Sequence, residues 1–342
     1  MMENFNYNKY LKYKFKHSQL EKMIGGLIEE INKDIPEIND QNINLNGIQK
    51  IGKGGFGIIG LVNNTTFGNI AIKLIHNFHS CNDAKKESNI HNKIYMIYNK
   101  LRNHMNTNSF NNLHITKPFS YHNSRQLVKI DDEMIEIYCY YAMEYAEPID
   151  IIENKFGDIP IQLHINKTVQ GFLENQEFRG YFHKDINDMI RKIKLLYPNI
   201  SMPQIDTEII ESIGIAVGIA IFGARYNPLD YQFMISKINN QFKIVAFDYG
   251  LFESYDATEF ATKLNDIYDG LVANPYIGEF LFDANLTDAF LIGVARAVKA
   301  ISVINGSNYV IDNFKLLYDK IINDEFYKHT ENVGSVIEQI IK

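Results

Sequence analysis

Residues 51–60 read IGKGGFGIIG and residues 68–75 read GNIAIKLI, and the fold is read outward from these two runs. The first carries G-x-G-x-x-G at Gly52, Gly54 and Gly57, with β-branched residues on both sides that suit strands. Glycines are needed where backbone N–H groups must come close to phosphate oxygens, because a Cβ would obstruct the approach or forbid the turn. A dinucleotide-binding crossover needs a helix to open at the third glycine. Here Ile58 to Val62 continues as strand and meets the turn-like Asn63, Asn64, Thr65 and Thr66, so a strand, glycine turn, strand arrangement is expected. In the second run a single lysine, Lys73, lies inside an apolar strand. Burying an ammonium costs free energy unless it is paired or solvated.

The expected partner is Glu87. In the stretch 82–97, Ile90, Ile94 and Ile97 recur at helical spacing, and Glu87 falls on nearly the same face. Further on, MIEIYCYYAMEYAEP (134–148) reads as a buried strand ending in a proline turn, and Asn-rich residues 103–125 read as loops between strands.

Together these elements resemble the N-terminal lobe of a protein kinase over residues 47–148, with Lys73 in the V-A-I-K pattern. The resemblance implies an α+β, bilobal protein-kinase-like fold: a small antiparallel sheet with one helix in the N-lobe, then a mainly helical C-lobe. It also implies that Lys73 and Glu87 orient the phosphates of ATP. Met143 would be the gatekeeper of the nucleotide pocket, and Glu144 to Ala146 would offer backbone hydrogen bonds to adenine. The implied organisation is a leader (1–26), a linker (27–42), the N-lobe (43–148) and a C-lobe (149–342) with an insertion around 149–205.

The run KIVAFDYG (243–250) contains Asp248-Tyr249-Gly250, a conservative D-F-G. The resemblance assigns Asp248 to Mg²⁺ (or Mn²⁺), which takes hard carboxylate oxygen. Counting back from the strand at Phe233, Gln232 stands in the place of the metal-binding Asn and Asn227 in the place of the catalytic Asp. A neutral Asn cannot accept a hydroxyl proton as a carboxylate does. Asp230, the only carboxylate on this loop, is read either as a displaced base or second metal ligand, or as a loop-capping Asp. The near-continuous apolar run IIESIGIAVGIAIF (209–222) reads as a central buried helix. With ARYNPLDYQFMI (224–235) and KIVAFDYG it is similar to a fungal kinase-like family of unknown function, departing at that family's first Asp and its Glu. A rival catalytic loop at His183, Lys184 and Asp185 is set aside because Ile190 occupies the metal-ligand place and no strand follows. Amphipathic runs at 258–271, 285–303 and 311–323 would complete a helical C-lobe.

The two functional expectations that follow are an ATP- and Mg²⁺-dependent phosphotransferase acting on protein, and a pseudokinase or virion scaffold without catalysis. With 34 basic against 41 acidic residues, bulk charge gives no reason to bind nucleic acid. Cys81 and Cys139 lack a paired spacing, so free thiols in a reducing, intracellular compartment are expected. His76, His79, Cys81 and His91 cluster in sequence without a second cysteine pair, and a polar loop is preferred to zinc. No apolar stretch is expected to reach the roughly 18 residues of a membrane span, and a soluble chain is expected. The basic, aromatic segment FNYNKYLKYKFKHSQLEKMIGG (5–26) resembles the leader of many proteins of mimivirus-like giant viruses, through Lys9 to Lys14 and Ile24-Gly25-Gly26. That likeness implies processing after Gly26 and a place in the virion or host cytoplasm. A basic amphipathic helix is the other reading.

Overall fold

The structure, a computed structural model, describes residues 45–148 and 202–342 apart from 46–47, 55–56, 65–67, 124, 230, 239–240, 275–276, 278–280, 282, 307 and 325–326. The expected leader, linker and most of the expected insertion lie outside these residues. The fold is mixed α+β with largely antiparallel sheets.

Strands β1 (Gln49–Gly54), β2 (Gly57–Asn64) and β3 (Gly68–Ile75) form a meander. It continues through β8 (Cys139–Glu144) to β5 (Pro118–His122), giving a five-stranded antiparallel sheet in the order β1-β2-β3-β8-β5. Helix α1 (Cys81–Leu101) packs on β5 and β8 with Ile90, Ile94, Tyr98 and Leu101 buried. The Asn-rich stretch is more ordered than its composition suggests. It holds α2 (Asn108–Asn112), capped by the Thr107 hydroxyl accepting from the Phe110 amide at 3.1 Å, then β4 (Leu113–Ile115) and β5. The run expected as one strand is two: β7 (Glu133–Ile137) pairs with β6 (Gln126–Ile130), and the chain breaks at Tyr138 before β8. Asp131 takes a left-handed conformation in the hairpin turn, which a short Asp side chain tolerates.

A four-stranded sheet ordered β4-β12-β11-β9 joins the two stretches of chain. Its middle is the hairpin of β11 (Gln232–Ile238) and β12 (Gln241–Phe247). On one side β4 runs parallel to β12 (Leu113 opposite Ile244), and on the other β9 (Glu147–Pro148) pairs with β11. Elements from before residue 149 and after residue 201 are therefore hydrogen-bonded in one sheet, and the residues after β12 are fixed relative to β3 and α1.

The rest is helical. Helix α3 (Met202–Gly218) continues as a π-helical segment over Ile219–Ala224. The Arg225 amide donates to the Ala220 carbonyl, five residues back, and the Tyr255 hydroxyl donates to the neighbouring Ile221 carbonyl. Arg225, left-handed at φ 63°, ends the segment, and β10 (Tyr226–Asn227) pairs with β13 (Glu253–Ser254). Helices α4 (Phe260–Ala273), α5 (Ala284–Asn305) and α6 (Tyr309–Ile322) fall where periodicity places them, and α7 (Val333–Ile341) closes the chain. The Asp283 carboxylate caps α5 through the Asn285 and Leu286 amides, and left-handed Gly306 ends it. Helices α3 and α5 meet at Gly214, Gly218 and Gly293, where a Cβ on Gly214 would strike the Phe290 carbonyl and one on Gly293 the Glu211 carbonyl. Contrary to the sequence expectation, Thr207–Ala224 is long and apolar enough to cross a membrane, but 78% of it is buried among the other elements. Within this fold it is a core helix.

The expectation of free thiols is overturned. Cys81, at the start of α1, and Cys139, at the start of β8, form a disulfide with Cα atoms 5.9 Å apart, and no free cysteine remains among the described residues. The register brings them together: Ile75, at the end of β3, lies opposite Cys139, and a short turn over residues 76–80 returns the chain to Cys81.

Candidate functional site

Lys73 points from the middle of β3, and its Nζ lies 2.6 Å from Oε2 of Glu87 on α1. Both side chains are more than nine-tenths buried. The pairing follows from local structure: Lys73 and Leu74 alternate across the strand, and Glu87 lies on the helix face that carries Ile90 and Ile94. Burial raises the Glu87 pKa; Lys73 opposes the rise and the negative charge of Asp248 adds to it. A second carboxylate, just past β12 and distant in sequence, therefore lies close enough to Glu87 to act on it electrostatically.

Asp248 is one of three described non-glycine residues with positive φ, at 59°. Its carboxylate accepts from the Gly250 amide at 3.3 Å, an Asx-type turn that supports the conformation. Left-handed backbone at a non-glycine residue costs free energy and gathers at functional sites. Gln232, at the start of β11, lies opposite Phe247, so it is the cross-strand neighbour of the residue just before Asp248.

His91, one turn after Glu87, joins these parts. It is fully buried; Nε2–H donates to the Thr116 carbonyl at 2.7 Å, Nδ1 accepts from the Tyr141 hydroxyl, and the ring stacks on Tyr249 with centroids 4.6 Å apart. Tyr141 is the register partner of Lys73, and Tyr249 follows Asp248. Burial pushes the His91 pKa down to about 3 against smaller opposing contributions, so the ring is neutral. Sequence reading found His91 only as part of a rejected zinc cluster. Its spacing of four from Glu87 was the signal that placed it on the same face. Cys81 from that cluster is in the disulfide, and among the described residues no group of three or more His, Cys, Asp or Glu side chains is arranged to hold a metal by itself.

Past β8 one backbone amide is without a hydrogen-bond partner among the described residues, and it belongs to buried Ala146. The Glu144 amide donates to the Lys117 carbonyl at 2.8 Å and the Tyr145 amide to the Asn69 carbonyl at 3.2 Å, whereas the Ala146 amide has no hydrogen bond to the described residues. The Glu144 carboxylate accepts from His114 Nε2 at 3.1 Å and from the Lys117 amide at 2.9 Å. Burial alone would raise its pKa, but these partners hold it low. Met143, half-buried, pairs with Ala71 and Pro118 across the sheet.

No protein-family model matches the chain, and no curated protein sequence is significantly similar to it. What the site does is therefore read from its own geometry.

The glycines differ in what demands them. A Cβ on Gly57 would collide with the Leu74 carbonyl of β3, whereas one on Gly52 would meet nothing nearer than Ile59 Cβ at 3.7 Å. Gly57→Ala is expected to destabilise the fold by about 2 kcal/mol or more through strand displacement, and Gly52→Ala to leave the melting temperature nearly unchanged. Denaturant unfolding of both variants checks this. Gly54 ends β1, and its side of the turn lies beside residues outside the description.

Of the catalytic-loop candidates, Asp230 lies outside the described residues. Asn227 is described, and its side chain faces α4 rather than Asp248. It is buried, its Nδ2 donates to the Asp266 carbonyl at 2.9 Å, and its Oδ1 packs close to Gly270. Lys73 and Glu87 are paired, Asp248 acts on Glu87, and Gln232 at the start of β11 lies opposite the residue before Asp248, while Asn227 is engaged elsewhere.

Proposed function

We propose that this chain is a bilobal, protein-kinase-like ATP-binding protein acting as an atypical phosphotransferase on protein. The observation that carries the reading is the buried Lys73–Glu87 ion pair set against the carboxylate of Asp248. A buried pair of this kind is weak evidence of stability for its own sake, and its placement beside a glycine-rich hairpin and a left-handed Asp fits a site for phosphates and a cation. In this reading Lys73 holds phosphate oxygens, Glu87 orients Lys73, Asp248 and Gln232 take Mg²⁺ or Mn²⁺, and the Ala146 amide meets the adenine edge beside Met143. The open turn at Gly52 accommodates phosphate where the fold itself would tolerate a side chain. Bound Mg²⁺-ATP would supply the transferable phosphoryl group and neutralise its developing charge. Asp230 is the carboxylate left to act as base, and the leader resemblance points to a viral, particle-associated protein.

A second reading, a pseudokinase or virion scaffold, is favoured by Asn227. It stands in the expected place of the base, yet it is neutral and bound to α4. Labelled ATP with Mg²⁺ or Mn²⁺, given to the purified chain and to Asp248→Asn, separates the two. Phosphoryl transfer that falls about 100-fold or more in the variant supports the enzyme. Thermal stabilisation by nucleotide without transfer supports the scaffold, and neither response refutes both.

A further inference from the structure

We propose that the Cys81–Cys139 disulfide is a redox latch that holds the start of α1, and with it Glu87, against the sheet. The start of this helix has few other holds. Ser80 stands at the N-cap without a side-chain cap bond, and Asn82, Asp83, Lys85 and Lys86 are all exposed. Besides the disulfide, what holds it among the described residues is the buried contact of Ala84, with Tyr121 and Tyr138 packed beside it, and two hydrogen bonds at Cys81, from its amide to the Phe78 carbonyl of the preceding turn and from the Tyr121 hydroxyl to its own carbonyl at 3.1 Å. An uncapped helix start with so little buried apolar surface opens readily once its covalent tie is cut. Glu87 lies six residues along, roughly 9 Å at 1.5 Å per residue, so loosening of the first turns reaches the Lys73 pair. The far end of the helix is held independently, where Ile97 packs against Gly223.

The chemistry is thiol–disulfide exchange with a dithiol reductant. One thiolate of the reductant attacks a sulfur of the bridge, and the other cysteine leaves as thiolate. The second thiol of the reductant then displaces the bound cysteine, so the reductant ends as a disulfide. Two electrons and two protons have moved to Cys81 and Cys139. Both sulfurs are buried, so attack proceeds through local opening of the helix start.

The latch itself stands on the geometry of α1, and its effect on nucleotide rests on the function proposed above. Hydrogen exchange on the full chain, oxidised and after dithiothreitol, tests the latch without nucleotide. Amides 81–90 should exchange at least tenfold faster when reduced, with those of α5 unchanged. The Cys81→Ser/Cys139→Ser protein should match the reduced state. Two titratable thiols in the oxidised protein, unchanged exchange at 81–90, or equal acceleration throughout the chain would each overturn the proposal. Thermal stabilisation by Mg²⁺-ATP should shrink severalfold on reduction. If the helix responds while neither redox state is stabilised by ATP, the latch holds and the nucleotide reading fails.

Discussion

Lys73→Met should lower the unfolding free energy by about 3–5 kcal/mol, because it leaves the Glu87 carboxylate buried without its partner. The loss depends on pH in a defined direction. A carboxyl whose folded pKa stands above the unfolded value, 4.5, gains a proton on folding. The deficit of the variant should therefore be smallest at or below that pH and grow as pH rises, until unpaired Glu87 can no longer stay protonated. Adding Glu87→Leu should restore much of the stability, since an apolar pair of similar volume is tolerated where a half-pair is not. Neither variant should be stabilised by Mg²⁺-ATP. Urea unfolding at pH 5 and pH 8, with and without nucleotide, measures all of this, and a Lys73→Met protein as stable as the wild type would show that the pair is not buried as described.

Acid should weaken the protein through His91. Its folded pKa of about 3 lies below the unfolded value of 6.5, so the unfolded chain binds the additional proton. The contribution is complete above about pH 6.5 and declines by about 1.4 kcal/mol per pH unit as pH falls toward 3. Carboxylates also respond to acid, so the informative quantity is the difference from His91→Gln, which keeps an N–H and a carbonyl but does not titrate. Between pH 6.5 and 4 the variant should show the shallower slope in chemical denaturation. Parallel slopes would mean that the imidazole is not sealed between Tyr249 and Thr116.

The Lys73–Glu87 pair was legible in the sequence because both residues break an otherwise apolar periodicity, one in a strand and one on a helix face, and only mutual pairing makes both economical to bury. Asp248 was legible for a related reason, as a carboxylate between an apolar strand and a glycine. The disulfide was not. Cysteine spacing reveals local clusters, whereas Cys81 and Cys139 meet through the antiparallel register of β3 and β8. The orientation of Asn227 was equally hidden, because it is set by the β10–β13 pairing and by the approach of Gly270 on α4. Residues 103–125 looked like loops because asparagine masks the short β4, where only Leu113 and Ile115 are apolar and the partner strand lies more than a hundred residues away.

The close crossing at Gly214 and Gly293 also bears on how the chain is made. The long apolar helix leaves the ribosome 79 residues ahead of the glycine that receives it, counting from 214 to 293. At roughly 5–20 residues per second that is an interval of about 4–16 s. During that time a segment greasy enough to be mistaken for a bilayer anchor is without its destined neighbour, so nascent chains interrupted before α5 are the species most in need of a chaperone.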